Sequence, residues 1–127
     1  MGMEQTVTFS AGSANCWPAA RHLLASHGFR VQVRMIDGEL AFPDEEPAEH
    51  WRELRLGMPE GLVVTARREP DRVVLVVWGN ADARLVQFWN ALTWAFAEAG
   101  HGQIRTAEGV YPPAEFGQRI GLHALDR

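Results

Sequence analysis

Lysine is missing from this chain altogether. All 12 basic residues are arginine, so the Schiff-base and phosphate-loop chemistries that depend on a lysine amine are excluded. Cysteine is almost as scarce: Cys16 stands alone, which rules out an intramolecular disulfide, suits a reducing compartment and leads us to expect a cytoplasmic location. No run approaches the ~18 continuous apolar residues of a membrane span, and residues 1–5 lack the charged and apolar regions of a signal peptide. Positive charge is in deficit as well. A formal net charge of -4 and a pI near 5.7 give no general attraction to polyphosphates or anionic lipids, so nucleic acid is an unfavoured partner and a membrane is not expected. No cofactor or metal is called for by any motif.

What is present is enough for one core. At 127 residues, 46% hydrophobic and 22% charged, the chain reads as a single domain over 1–127, with residues 1–3 expected to be disordered and 109–127 an irregular tail docking on the body. Thr6 to Phe9 alternate as a short half-buried strand. A helix capped by Ser13 or Asn15 should run to about His27, with Pro18 in its first turn and Gly28 as its stop. Phe29 to Met35 alternate up to Asp37-Gly38, a type I′ hairpin signal, and the register that places Met35 opposite Leu40 and Val33 opposite Phe42 would bury all four on one face. Pro47 suggests a short helix to about Leu56. A second hairpin is expected, 62–67 with 72–78, and its all-apolar Val73 to Trp78 strand should be central, with both faces covered. Asn80 or Asp82 can cap a long helix from Ala83 to Ala99 that Gly100 ends, and 103–107 could form a last strand.

This order, β-α-β-β-short α-β-β-α with a possible last strand, predicts an α+β two-layer sandwich: a mainly antiparallel sheet of 4–6 strands with the two longer helices on one face. The element order is similar to that of the TATA-binding-protein-like fold, and a ferredoxin-like variant is close, a likeness of topology that fixes no function.

Chemistry is thinly signalled. Cys16 sits where a helix N-terminus would stabilise a thiolate, making it the candidate nucleophile of a small cysteine-dependent enzyme or redox protein, with His22, His101 or His123 as base; buried lone cysteines are more often inert. The acidic stretch Asp44, Glu45, Glu46, Glu49, His50 and Glu53 would place Glu49 and Glu53 on one helix face, although no zinc-helix motif is present. Arg30, Gln32 and Arg34 form a row that could align with Thr65 and Arg67 beside Trp78, a candidate anion- or nucleotide-binding sheet face. On the long helix, Leu85, Phe88, Trp89, Leu92 and Phe96 make the core stripe. Trp94 lies on the opposite, polar side, and must be exposed, covered by the tail, or buried by another molecule. The leading expectation is a non-enzymatic binding or regulatory domain acting through protein–protein contacts, pairing as a homodimer through the second sheet face or the Trp94 side.

Overall fold

A computed structural model describes residues 3–10, 15–79 and 82–122. Its elements run β1 (Met3–Thr8), α1 (Trp17–Ser26), β2 (Gln32–Ile36), β3 (Glu39–Leu40), β4 (Glu53–Gly57), β5 (Val63–Glu69), β6 (Arg72–Val77), α2 (Ala83–Gly100), β7 (Gln103–Thr106), β8 (Gly109–Tyr111) and α3 (Pro113–Arg119). The fold is α+β. All the strands join one open antiparallel sheet in the order β3-β2-β4-β5-β6-β1-β7-β8, eight where four to six were expected. The likeness to TATA-binding-protein-like or ferredoxin-like order therefore carries no further than the α+β class.

The first hairpin turns where the sequence says it should. Asp37 and Gly38 both take positive φ, 51° and 86°, as a type I′ turn demands, and Met35 does face Leu40. The burial is different, because the register shifts between Val33 and Met35 against β4. That bulge inserts Arg34 into the alternation and flips everything after it. Val33 and Ile36 turn toward the core, while Leu40 is left 88% exposed and Phe42 76% exposed.

The predicted helix over 47–56 is absent. The side chain of Asp37 decides this, accepting the backbone N–H groups of Arg52 and Glu53 at 2.8 Å each. Those bonds fasten the chain beside β2 and start β4 there. Trp51, expected on a helix, is instead 1% exposed in the core, where its indole N–H donates to Asn15 Oδ1 at 3.1 Å and its ring lies 6.4 Å from Phe96. Asn15 thus serves Trp51, and α1 has no side-chain cap; Ser13 lies outside the described residues. The second hairpin forms as expected, and β6 lies inside the sheet between β5 and β1.

Helix α2 is capped by Asp82, whose carboxylate accepts from Leu85 N at 2.9 Å; Asn80 is outside the described residues. It ends one residue later than expected, on His101 in the left-handed conformation at φ 55°. The glycine that the packing requires is Gly102, where a Cβ would stand 2.6 Å from the Thr8 carbonyl oxygen and 2.9 Å from Val7 and Phe9 side chains. Gly102→Ala must push two backbones apart and is expected to destabilise the fold by about 1–3 kcal/mol. Urea denaturation measures this, and an unchanged midpoint would contradict the packing.

One face of the sheet holds the core. Val7, Leu54, Leu56, Val64, Ala66, Val73, Leu75, Val77 and Ile104 point to the helices and join Trp17, Leu24, Phe88, Leu92 and Phe96 in one cluster. Helix α2 lies on β1, β5, β6 and β7, and α1 and α3 flank it. The expected irregular tail is ordered as β8 and α3 as far as residue 119: Pro112 and Pro113 start the helix, since a first turn needs no proline N–H.

Candidate functional site

The face of the sheet away from the helices is built by strand register. Directly paired residues share a side, so one row crosses the sheet as Leu40, Met35, Arg55, Thr65, Val76 and Glu4. The next reads Glu53, Arg67, Val74, Thr6, Arg105 and Val110. A third holds Glu69, Arg72, Thr8 and Gln103. Among the described residues no helix packs on this side. Val76 is only 3% exposed yet lies outside the core cluster. Trp78, just past the end of β6, is 59% exposed, and Val63 and Val110 are exposed with it. The expectation that both faces of β6 are covered therefore holds fully on the helix side, whereas on the outer face Val76 is buried, Val74 half-buried and Trp78 exposed.

The charges of this face are of both signs and interleaved: Arg55, Arg67, Arg72 and Arg105 against Glu4, Glu53 and Glu69. Arg67 donates to Glu53 at 3.2 Å and lies 5.8 Å from the centre of the Trp78 ring. Such exposed pairs contribute little stability, ~0–1 kcal/mol each, but they fix the orientation of the side chains around the tryptophan.

The other sequence candidates are dispersed. Arg30 is exposed and precedes β2, and Arg34, the bulge residue, donates to the Met58 carbonyl at 2.8 Å, tying down the end of β4. Gly57 is needed there, because a Cβ would meet Arg34 Nε at 2.5 Å. With β4 inserted between β2 and β5, Arg30, Arg34 and Arg67 do not gather, and only Arg67 keeps its place beside Trp78.

Trp94 is 8% exposed. The tail covers it: a Cβ on Gly117 of α3 would come within 3.1 Å of its Nε1, so this glycine allows the helix to press close. His27 at the end of α1 meets the ring edge-on at 5.0 Å. Helix α2 is thus flanked by the sheet, α1 and α3, and Trp94 is covered within the chain, although Gln87 and Glu98 of α2 remain exposed.

Cys16 donates a weak hydrogen bond to the Phe96 carbonyl at 3.4 Å. Burial pushes its thiol up to about 12 from 9.0, outweighing its backbone hydrogen bond and the charge of Arg68. His22 and His101 are exposed and neither bonds to it, while His123 lies outside the described residues. A three-unit rise leaves a roughly thousandfold smaller thiolate fraction near neutrality. Iodoacetamide at pH 8 should therefore modify the native chain at least ~100-fold more slowly than the urea-unfolded chain; equal rates would restore a reactive cysteine. The raised folded value means that Cys16's contribution to stability is complete below pH 9 and is lost as pH rises toward about 12.

The acidic stretch gives no metal centre. Without the helix, Glu49 and Glu53 are not one turn apart on a shared face, and no group of three or more potential ligands is placed to hold an ion among the described residues. Among those residues, too, no helix is long and apolar enough to cross a membrane. No protein-family model, curated protein or solved structure matches this chain.

Proposed function

We propose that this domain works by protein–protein contact, pairing with a second copy of itself through the open sheet face. The observation that carries the reading is Trp78, a large apolar side chain held by Arg67 at the rim of a face without a helix over it. Tryptophan and arginine are the residues most enriched at interface hot spots. Val63, Val74 and Val110 extend the apolar surface, and eight strands at ~4.8 Å spacing give a width of roughly 30 Å, room for the ~800 Å² per partner of a standard interface.

A second copy is the occupant that the charges favour. Four arginines interleaved with three glutamates form a pattern that a two-fold rotation can set against itself, whereas a strongly acidic or basic partner would meet like charge. A homodimer buries Trp78 and supplies the missing second layer. The dimer acts as a binding or regulatory unit without chemistry of its own. Sedimentation equilibrium across micromolar concentrations tests this: the mass should rise from 14.2 kDa toward twice that value. A constant 14.2 kDa at the highest soluble concentration would leave the face to a different partner and overturn the homodimer.

A further inference from the structure

We propose that the hairpin end of the sheet, around Leu40 and Phe42, docks a cationic segment of another protein, one that carries arginine or lysine beside bulky apolar side chains. Leu40 is 88% exposed and Phe42 76% exposed, the two most exposed large apolar side chains among the described residues. Leu40 ends the edge strand β3, and Phe42 opens the turn just after it. Half-buried Met35, the ladder partner of Leu40, adds to the same apolar surface. A single exposed leucine is ordinary, whereas large apolar side chains gathered at one place mark a contact site.

This surface is held in place by hydrogen bonds. The Phe42 N–H donates to Glu45 Oε1 at 3.1 Å, and the Glu45 N–H donates back to the Phe42 carbonyl at 3.0 Å. The Pro43 carbonyl accepts from the Val33 N–H at 2.9 Å and from Arg21 Nη2 at 2.8 Å. These bonds tie the turn to β2 and α1, so a partner meets a preorganised surface and little order has to be created on binding.

Charge identifies the partner. Glu39, Asp44, Glu45, Glu46 and Glu49 flank the two apolar residues in the chain, all five are exposed, and none enters an ion pair among the described residues. No arginine occurs between Arg34 and Arg52, while Arg21 and Arg34 are turned to carbonyl oxygens. An anionic lipid surface or a nucleic acid would be repelled here. A second copy fits no better: a two-fold contact at this end would set carboxylate against carboxylate, and the arginines of the open face already alternate with glutamates. Guanidinium or ammonium groups beside apolar side chains match both halves of the surface. Trp78 follows β6, four strands along from β3, so the proposal does not rest on pairing through the open face.

The probe is a synthetic octapeptide in which arginine and leucine alternate, with a companion that keeps the arginines and replaces each leucine by serine. Both are titrated into the intact chain and followed by backbone amide signals in nitrogen–proton correlation spectra. The leucine peptide should shift Leu40, Phe42, Glu45 and Glu46, with the serine peptide binding at least about tenfold more weakly. Combining Leu40→Ser with Phe42→Ser should weaken the leucine peptide by a similar factor and, because both side chains are exposed, leave the rest of the spectrum in place. If the double variant does not fold, the comparison of the two peptides on the unaltered chain decides. Equal affinity for both peptides, or no shift at these residues at millimolar peptide, would overturn the proposal. So would a double variant that lowers the mass in sedimentation equilibrium, since a second copy would then be the occupant.

Discussion

Replacing Trp78 with aspartate is expected to raise the dissociation constant of the homodimer at least ~30-fold, the equivalent of about 2 kcal/mol for a hot-spot tryptophan. The physical case is local. Trp78 is 59% exposed in the single chain, so the substitution removes little core contact, and among the described residues its specific contact is the Arg67 guanidinium at 5.8 Å, worth ~0.5–1 kcal/mol at an exposed site. Monomer stability should therefore change by less than about 1 kcal/mol while association collapses. Aspartate also brings a carboxylate into the apolar surface that pairing covers, and it must be desolvated if the face closes. Arg30→Glu, a charge reversal at an exposed position ahead of β2, is the control and should leave association unchanged. Comparable weakening by both substitutions would mean that net charge, not this face, governs self-association.

The second large effect concerns folding. Trp51→Ala should lower the free energy of unfolding by about 3–5 kcal/mol, the range for removing a large aromatic from a packed core. Trp51 is 1% exposed, touches Phe96, donates to Asn15 Oδ1 and lies under the Arg68 guanidinium at 4.8 Å. Truncation leaves a cavity between Phe96 of α2 and Arg68 of β5 and deprives Asn15 of its donor. If Trp51 stood instead on a solvated surface, the same substitution would cost within ~0.5 kcal/mol. Guanidinium denaturation at concentrations where the chain is monomeric separates the two, and a loss below about 1 kcal/mol would contradict the placement of β4.

That contrast marks how far the sequence reaches. Local signals were dependable where they depend on a few neighbouring residues: Asp37-Gly38 sets its turn, Asp82 its cap, and the apolar run from Val73 to Val77 its interior strand. What local reasoning missed depends on long-range bonds. No window of sequence reveals that the Asp37 carboxylate captures the Arg52 and Glu53 amides, and from that capture follow the loss of the short helix, the insertion of β4 and the separation of Arg34 from Arg67. The bulge at Arg34 likewise comes from pairing with β4, which is why Leu40 and Phe42 point outward despite good alternation.

The candidate sites were legible to different degrees. Trp94 looked unpartnered because helix periodicity treats a helix as having one buried side, and only the folding of residues 113–119 into α3 over Gly117 changes that. The open face was half visible. Trp78 and Arg67 could be placed on it from the second hairpin, whereas Arg105, Val110 and Glu4 join through β1, β7 and β8, whose order is not written in any local pattern.

The most direct test of the central claim is an isotope-filtered nuclear Overhauser experiment on a mixture of labelled and unlabelled chains, which records only contacts between molecules. The account predicts intermolecular contacts from the Trp78 ring to the methyl groups of valines on the open face, Val63, Val74 or Val110. Intermolecular contacts confined to residues of α1, α2 or α3, with none at Trp78, would contradict it.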